Sequence, residues 1–551
     1  MFFKSSEFCF LLVISLITIM LHTYDFFLPP LWADETSPFI MATSLISSHD
    51  SDLYHYSRQW GAHLGQFPVA WQHYNGNVLA TYLTVPFLYF IGINVAAVRI
   101  YELAVAIAVL VLTYYCGKEI FSKNTGMIGA SLLSILPSFV FYSRQSSLYD
   151  WTDLCVALLV VIFGVRYLKY KKTLYLFASL FLVGIGVYEY LWFVWIVIGL
   201  LATIPLWIKK IKFDKKFVIT LSVALILGFS HLIIGYVLSP TQSPVSFAAD
   251  VLLGNNSQYH HASNTNFLGN AMMRSNDLFS FLSKPGVVFL FYNSGSHFDV
   301  VNYAFSIIFA ITTISLILYI CKRKQGSRQI GSILILILGI FVASMFTISE
   351  FLSIQISIIL PFLFLSIGRG LDIMLSQLRS KTTINHLILI AIVLIGLTQI
   401  TTLISGFDVM GSSSTAQTDQ VYNKINSYVL QNNLKPVSLD FFTAKVMPFY
   451  SDGKIIPVVM RWTLPQSDEL NKFREPMQEV NSLDLRSNYV FLVYSYPSFP
   501  NCLQPTFEQK PICDDLNYIK TYAEKNSLNI QKTSFSLSDG TSFITGIELK
   551  R

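Results

Sequence analysis

The chain has 551 residues, of which 53% are hydrophobic and only 13% are charged. Soluble proteins carry roughly 25% charged residues and keep a large polar surface in contact with water. The composition therefore excludes a soluble globular protein, and the 15% of aromatic residues excludes intrinsic disorder. It predicts an α-helical multi-pass membrane protein. The net charge of +6 does not indicate nucleic-acid binding, because the basic residues lie between apolar runs.

Eleven apolar runs have the length of a membrane-spanning helix, which takes about 17–25 residues. They are residues 8–28, 96–116, 125–141, 152–168, 173–188, 190–208, 217–238, 301–321, 331–348, 351–367 and 384–404. A twelfth run, 77–93, contains Pro86 in its middle. If it crossed, the excess of Lys and Arg would move to the outer loops. We therefore expect a short helix on the outer surface there, with the N-terminus in the cytoplasm.

This topology divides the chain into two predicted domains. Residues 1–405 form a membrane domain whose large external loops are residues 29–76 and 239–300. Residues 406–551 have the composition of a soluble α/β domain outside the cytoplasm, with strands expected at 436–442, 454–461 and 489–496, a hairpin around 538–540, and helices at 422–431 and 514–527. Cys502 and Cys513 are candidates for a disulfide bond in this domain.

Two adjacent carboxylates, Asp34 and Glu35, follow the first predicted crossing. A carboxylate at this place can act as a general base or bind a cation. The pair is also compatible with a simple polar end to the preceding helix. Arg99 and Glu102 lie one helical turn apart near the outer end of the second crossing, where a guanidinium can bind a lipid phosphate or form an intrahelical ion pair.

Further charged residues are expected on the same outer side. Asp150 and Asp153 lie one turn apart at the start of a crossing, where the helix dipole also favours carboxylates, and Arg144 precedes them. The weaker candidates are Glu189, in a tight turn, and Arg274, in the second large loop. Ionisable residues gathered at a membrane surface are expensive and indicate a functional site. Such a site suits a substrate with an anionic head and a lipid tail.

Short motifs add a family resemblance over about residues 1–405. They are Asp34–Glu35 in the first loop, the run His73–Tyr74–Asn75–Gly76 followed by Tyr82–Leu83–Thr84–Val85–Pro86 and Arg99, and the stretch from Pro137 to Asp150. In their order and spacing these resemble the GT-C membrane glycosyltransferases, and most nearly the branch of the protein O-mannosyltransferases and aminoarabinose transferases (glycosyltransferase family 39). The chain departs from that branch where His73–Gly76 replaces a His-Pro-Pro-Leu signature. Its C-terminal domain is not a β-trefoil.

The resemblance implies transfer of a sugar from a polyprenyl-phosphate (dolichyl-phosphate) donor, with inversion, to a glycan, protein or lipid acceptor. Asp34 would be the catalytic base and Glu35 its neighbour. Arg99, Arg144 and Arg274 would contact the donor phosphate, and Asp150, Asp153, His73 and Glu189 would line the substrate site. The need for a divalent cation, Mg²⁺ or Mn²⁺, stays open; its ligands would be Asp34, Asp150 and Asp153.

Two alternatives are retained. The first is transfer of an oligosaccharide to asparagine, which would need the metal ion. The second is a transporter of polyprenyl lipids or solutes, which would place charges or broken helices near the bilayer midplane. Most apolar runs here have uncharged centres, which favours an enzyme.

Overall fold

The structure is a computed structural model. It describes residues 5–28, 31, 35–71, 78–145, 151–190, 192–211, 213–230, 233–234, 267–283, 303–322, 324–346, 355–378, 382–411, 418–459, 483, 485, 488–495, 510–537 and 542–550. The chain forms two compact units. The helical unit comprises residues 1–26 and 102–409, and the mixed unit comprises residues 27–101 and 410–551. The mixed unit thus groups residues 27–101 with residues 410–551, and the domain boundary predicted at residue 405 stays a prediction.

The described helices and strands are as follows. The helices are α1 (Ser5–Thr23), α2 (Ser37–Ile46), α3 (Asp52–Gln59), α4 (Val78–Ile91), α5 (Val95–Ile120), α6 (Lys123–Ser134), α7 (Pro137–Ser143), α8 (Thr152–Tyr170), α9 (Thr173–Glu189), α10 (Phe193–Trp207), α11 (Lys215–Gly228), α12 (Phe267–Ser283), α13 (Ala304–Cys321), α14 (Ser327–Met345), α15 (Leu360–Leu378), α16 (Thr382–Gly411), α17 (Thr418–Gln431), α18 (Phe441–Tyr450) and α19 (Lys510–Lys525). The strands are β1 (Gly61–Leu64), β2 (Phe67–Trp71), β3 (Lys435–Ser438), β4 (Val458–Val459), β5 (Tyr489–Tyr494), β6 (Asn529–Ser536) and β7 (Ser542–Lys550).

The chain is a multi-pass membrane protein. Within the described residues, six helical segments are long and apolar enough to span a bilayer, and they involve α1, α5, α10, α13, α14 and α15. The pair α6–α7 would be a seventh, bent by 73° where Pro137 begins α7. Each of the eleven predicted crossings overlaps a helix. Outside this set, α9 and α11 have only 17 and 14 residues, and the number eleven stays a prediction.

Small residues allow the helices of the helical unit to pack closely. A Cβ atom added to Gly184 of α9 would lie 2.3 Å from the carbonyl carbon of Gly228 in α11. One added to Gly368 of α15 would lie 2.8 Å from the backbone nitrogen of Gly129 in α6. In a bilayer, where the hydrophobic effect does not drive helix association, such backbone approach supplies the packing energy.

The first half of the mixed unit contains helices α2 to α4 and a small hairpin. Strands β1 and β2 are antiparallel, and Gly65, with φ of +61°, allows the turn between them. Helix α4 has 14 residues and packs against α2, and the Tyr82 hydroxyl donates to the Pro68 carbonyl of the hairpin (2.9 Å). Helix α4 has the short length that was expected for residues 77–93, whereas the hairpin was not predicted.

The second half of the mixed unit is an α/β domain. Its sheet has the order β4-β3-β5-β7-β6, with β3 parallel to β4 and β5, and β7 antiparallel to β5 and β6. Apolar side chains including Val437, Phe491 and Ile547 form its core. The first strand ends earlier than predicted, because the Asp440 carboxylate accepts a hydrogen bond from the Thr443 N–H (2.7 Å) and caps α18.

Candidate active site

A buried ion pair joins two of the candidate residues, Glu35 and Arg99. The Arg99 Nη1 atom donates to Glu35 Oε1 at 3.0 Å, and the two side chains are 2% and 0% exposed. Glu35 precedes α2, where Pro38 occupies the first turn, and Arg99 lies in the first turns of α5. A buried ion pair of this kind is maintained only when both charges remain in place, because either charge alone would be costly to bury.

Asp34, the predicted base, lies outside the described residues, but its chain neighbours at 31 and 35–37 are described. Here residues 31–37 are called the acidic loop. Glu35 in this loop and Arg99 were both predicted, and the spacing allowed either a lipid phosphate or Glu102 as a partner of Arg99. The structure pairs Arg99 with Glu35, from a segment 64 residues away.

Arg144, a predicted phosphate contact, is bound to the main chain at the end of α1. It is buried, and its guanidinium donates to the main-chain carbonyls of Leu21, Tyr24 and Asp25, the last at 3.0 Å. Its charged centre lies 3.7 Å from the centroid of the Phe407 ring. Arg144 thus satisfies carbonyl groups at the C-terminal end of α1, which the helix itself leaves without partners. These contacts indicate a structural contribution within the helical unit, and the phosphate contact stays a prediction.

Three other candidates are buried charged residues of the helical unit. Asp153 lies in the first turn of α8, Glu189 is the last residue of α9, and Arg274 lies in the middle of α12. Their exposed fractions are 2%, 0% and 0%. Buried charged side chains are retained in membrane proteins mainly for function. Asp153, Glu189 and Arg274 therefore stay predicted substrate or phosphate contacts.

The remaining candidates are only partly described. His73, Asp150 and Cys502 lie outside the described residues. Cys513 is disulfide-bonded, which fits an oxidising compartment. No three His, Cys, Asp or Glu side chains cluster as metal ligands in the described part of the chain, and two of the three predicted ligands, Asp34 and Asp150, lie outside it.

Sequence reasoning missed two residues of α18 that contact the acidic loop. The Lys445 ammonium donates to the Ser37 hydroxyl, and the Tyr450 hydroxyl oxygen accepts from the Leu31 N–H. The signal for Lys445 was a single lysine within the apolar run FFTAKVMPFY, because lysine is rarely buried without a specific partner. Tyr450 gave no comparable signal.

Comparisons with known proteins agree with this architecture. Residues 72–234 match the family described as dolichyl-phosphate-mannose-protein mannosyltransferase. No curated protein matches the chain by sequence.

Among solved structures, the chain is similar to ArnT from Cupriavidus metallidurans bound to undecaprenyl phosphate, with a TM-score of 0.60, 12% identity, and coverage of 98% of each chain. The apo state of that protein gives a TM-score of 0.59 at the same identity and coverage. The oligosaccharyltransferase of Archaeoglobus fulgidus, in its apo form, gives a TM-score of 0.50 at 11% identity, over 89% of this chain and 70% of that one. These likenesses show the fold.

Proposed function

We propose that this chain, which has the GT-C fold of the membrane glycosyltransferases, transfers a sugar from a polyprenyl-phosphate donor to an acceptor outside the cytoplasm. The match of residues 72–234 to the mannosyltransferase family supports this activity. The solved structure of the similar ArnT with undecaprenyl phosphate supports the class of donor. The observation that carries the proposal is the buried Glu35–Arg99 pair, directly beside Asp34 in the chain.

The proposed reaction is a displacement at the anomeric carbon. Asp34 removes the proton from the acceptor hydroxyl, and the acceptor oxygen forms a bond to this carbon. The bond from the same carbon to the phosphate oxygen breaks on the opposite face, so that the configuration inverts and the electron pair leaves with the polyprenyl phosphate.

Arg99 would supply positive charge to the departing phosphate. A guanidinium has five N–H donors in a planar arrangement, so one arginine can hold a carboxylate and a phosphate together. Glu35 would orient Arg99 and balance its charge before the donor arrives. In this scheme Glu35 of the acidic loop and Arg99 of α5 act together on the donor phosphate.

The acceptor side of the membrane is also part of the proposal. We place the N-terminus in the cytoplasm and the C-terminal α/β domain outside it. The distribution of Lys and Arg among the loops supports this orientation, and so does the disulfide bond of Cys513.

The test is a transfer assay in membranes that contain the full chain and radiolabelled polyprenyl-phosphate hexoses and pentoses. We expect label to move from the lipid fraction to glycan, glycolipid or protein in the wild type. Asp34→Asn should reduce the rate by about 10²–10⁴-fold, the usual contribution of a positioned general base. The matched control is Asp50→Asn, which changes an exposed carboxylate between α2 and α3 and should leave the rate unchanged. Full activity of Asp34→Asn would remove the base assignment, and movement of intact donor across the membrane without transfer would favour the transporter.

A further inference from the structure

Helix α18 of the C-terminal domain contacts the acidic loop on both sides of Asp34. The Leu31 N–H donates to the Tyr450 hydroxyl oxygen at 3.2 Å. The Lys445 ammonium donates to the Ser37 hydroxyl at 2.7 Å. Leu31 and Ser37 lie three residues before and three residues after Asp34, so α18 holds both ends of the segment that carries the proposed base.

Several neighbours restrict Lys445 and the helix that carries it. The Lys445 side chain is buried, with its ammonium 5.3 Å from the centroid of the Trp60 ring. The Tyr56 hydroxyl donates to the Ala444 carbonyl at 2.6 Å. The rings of Phe39 in α2 and Phe449 in α18 meet edge to face at 6.1 Å. These contacts leave Lys445 little freedom to follow a displacement of Ser37.

The Tyr450 end is equally restricted. The Tyr450 ring stacks on Tyr422 at 4.8 Å with an interplanar angle of 5°. The Asn426 side-chain amide donates to the Tyr450 carbonyl at 2.9 Å. Burial raises the pKa of Tyr450 well above its usual value, although the Leu31 N–H and the charge of Arg99 partly oppose this increase. The phenol is therefore neutral at physiological pH, and it lies within the electrostatic influence of the Glu35–Arg99 pair.

We propose that Lys445 and Tyr450 are positioning residues that hold the acidic loop in the geometry required for sugar transfer. This inference rests on the proposed function, in which the loop carries the base. A helix that only packed against α2 would need apolar side chains, whereas burying an ammonium group is costly unless it makes a specific contact. A displacement of about 1 Å in a catalytic group can cost about 10²-fold in rate, so anchors on both sides of Asp34 have a direct kinetic value.

The first test breaks the Lys445–Ser37 contact from each end in the full-length protein. We expect Ser37→Ala and Lys445→Met each to reduce kcat about tenfold or more, while KM for donor and acceptor stays within twofold. The double variant should be no slower than the slower single variant, because both remove the same contact. The matched control is Lys424→Met, which removes an exposed lysine from α17 and should not change kcat.

The second test removes one hydroxyl group. Tyr450→Phe keeps the ring stacked on Tyr422 and removes the acceptor for the Leu31 N–H, so kcat should fall several-fold with KM unchanged. Its control is Tyr428→Phe, which removes a hydroxyl that donates to Glu548 within the same domain and should have no effect on kcat. If Lys445→Met does not fold, Ser37→Ala and Tyr450→Phe still decide the question.

The outcomes separate the two proposals. Wild-type transfer with unchanged kcat in Ser37→Ala and Tyr450→Phe would overturn the positioning role alone, and so would an increase in KM at constant kcat. A wild-type chain without transfer would overturn the proposed function and with it this inference. A fully active Asp34→Asn would remove the base that the loop is proposed to carry, and with it this inference, while sugar transfer itself would stand.

Discussion

The carboxylate of Glu35 and the guanidinium of Arg99 lie 3.0 Å apart and are both buried, although 64 residues separate them in the chain. This contact ties the acidic loop to the beginning of α5, a membrane-spanning helix. It also means that each side chain compensates the buried charge of the other.

Glu35→Gln should destabilise the mixed unit, because it removes the negative charge that faces a buried guanidinium. Breaking a buried ion pair from one side costs about 3–5 kcal/mol, and we expect a lower midpoint of thermal unfolding in detergent. The control is Glu524→Gln, which removes an exposed carboxylate 3.9 Å from Lys520 on α19 and should leave the midpoint unchanged. Equal midpoints for both variants would mean that the Glu35–Arg99 pair contributes nothing to stability.

Arg144→Met should affect stability and not donor binding. Its guanidinium donates hydrogen bonds to carbonyl groups at the end of α1. Loss of these hydrogen bonds should lower the unfolding midpoint, while KM for the polyprenyl-phosphate donor stays within twofold. Lys172→Met, at an exposed position before α9, serves as the control with no expected effect. A tenfold increase in KM at an unchanged midpoint would instead support the phosphate contact that the sequence predicted.

The orientation in the membrane can be tested with single cysteines. In a chain with Cys9 and Cys321 replaced by alanine, an impermeant thiol reagent applied to intact cells should label Ser427→Cys, an exposed position on α17. Cysteine at Ser263, in the second predicted external loop, should react in the same way. Lys172→Cys should react only after lysis, because we place it in the cytoplasm. The reverse pattern would invert the proposed topology.

A requirement for a divalent cation distinguishes the two types of transfer. Sugar transfer with Asp34 as base and Arg99 at the phosphate should persist in EDTA, because these side chains supply both the proton acceptor and the positive charge. Activity that disappears in EDTA and returns with Mn²⁺ or Mg²⁺ would indicate a metal held by Asp34, Asp150 and Asp153. It would favour the chemistry of an oligosaccharyltransferase.

Hydropathy predicted the helices well because burial in lipid requires long apolar runs, whatever the tertiary contacts. The boundaries of β5 and α17 were also close to those observed, because alternating or helical apolar patterns are local signals. The pairing of Arg99 with Glu35 was missed, since spacing along one helix can suggest only a nearby partner such as Glu102 and cannot show a contact between distant segments. Lys445 contacts Ser37, which is 408 residues away in the chain, so no local sequence pattern could predict this contact.

The mixed unit is assembled from two stretches of chain, residues 27–101 and 410–551, that are separated by the whole of the 102–409 segment. After the acidic loop, the ribosome must therefore add roughly 400 residues before α18 is complete, which takes about 20–80 s at 5–20 residues per second. During that time the acidic loop has no contact with Lys445 or Tyr450, because neither residue has been synthesised. A chain that ends before α18 would lack the contacts of Lys445 and Tyr450 with Ser37 and Leu31.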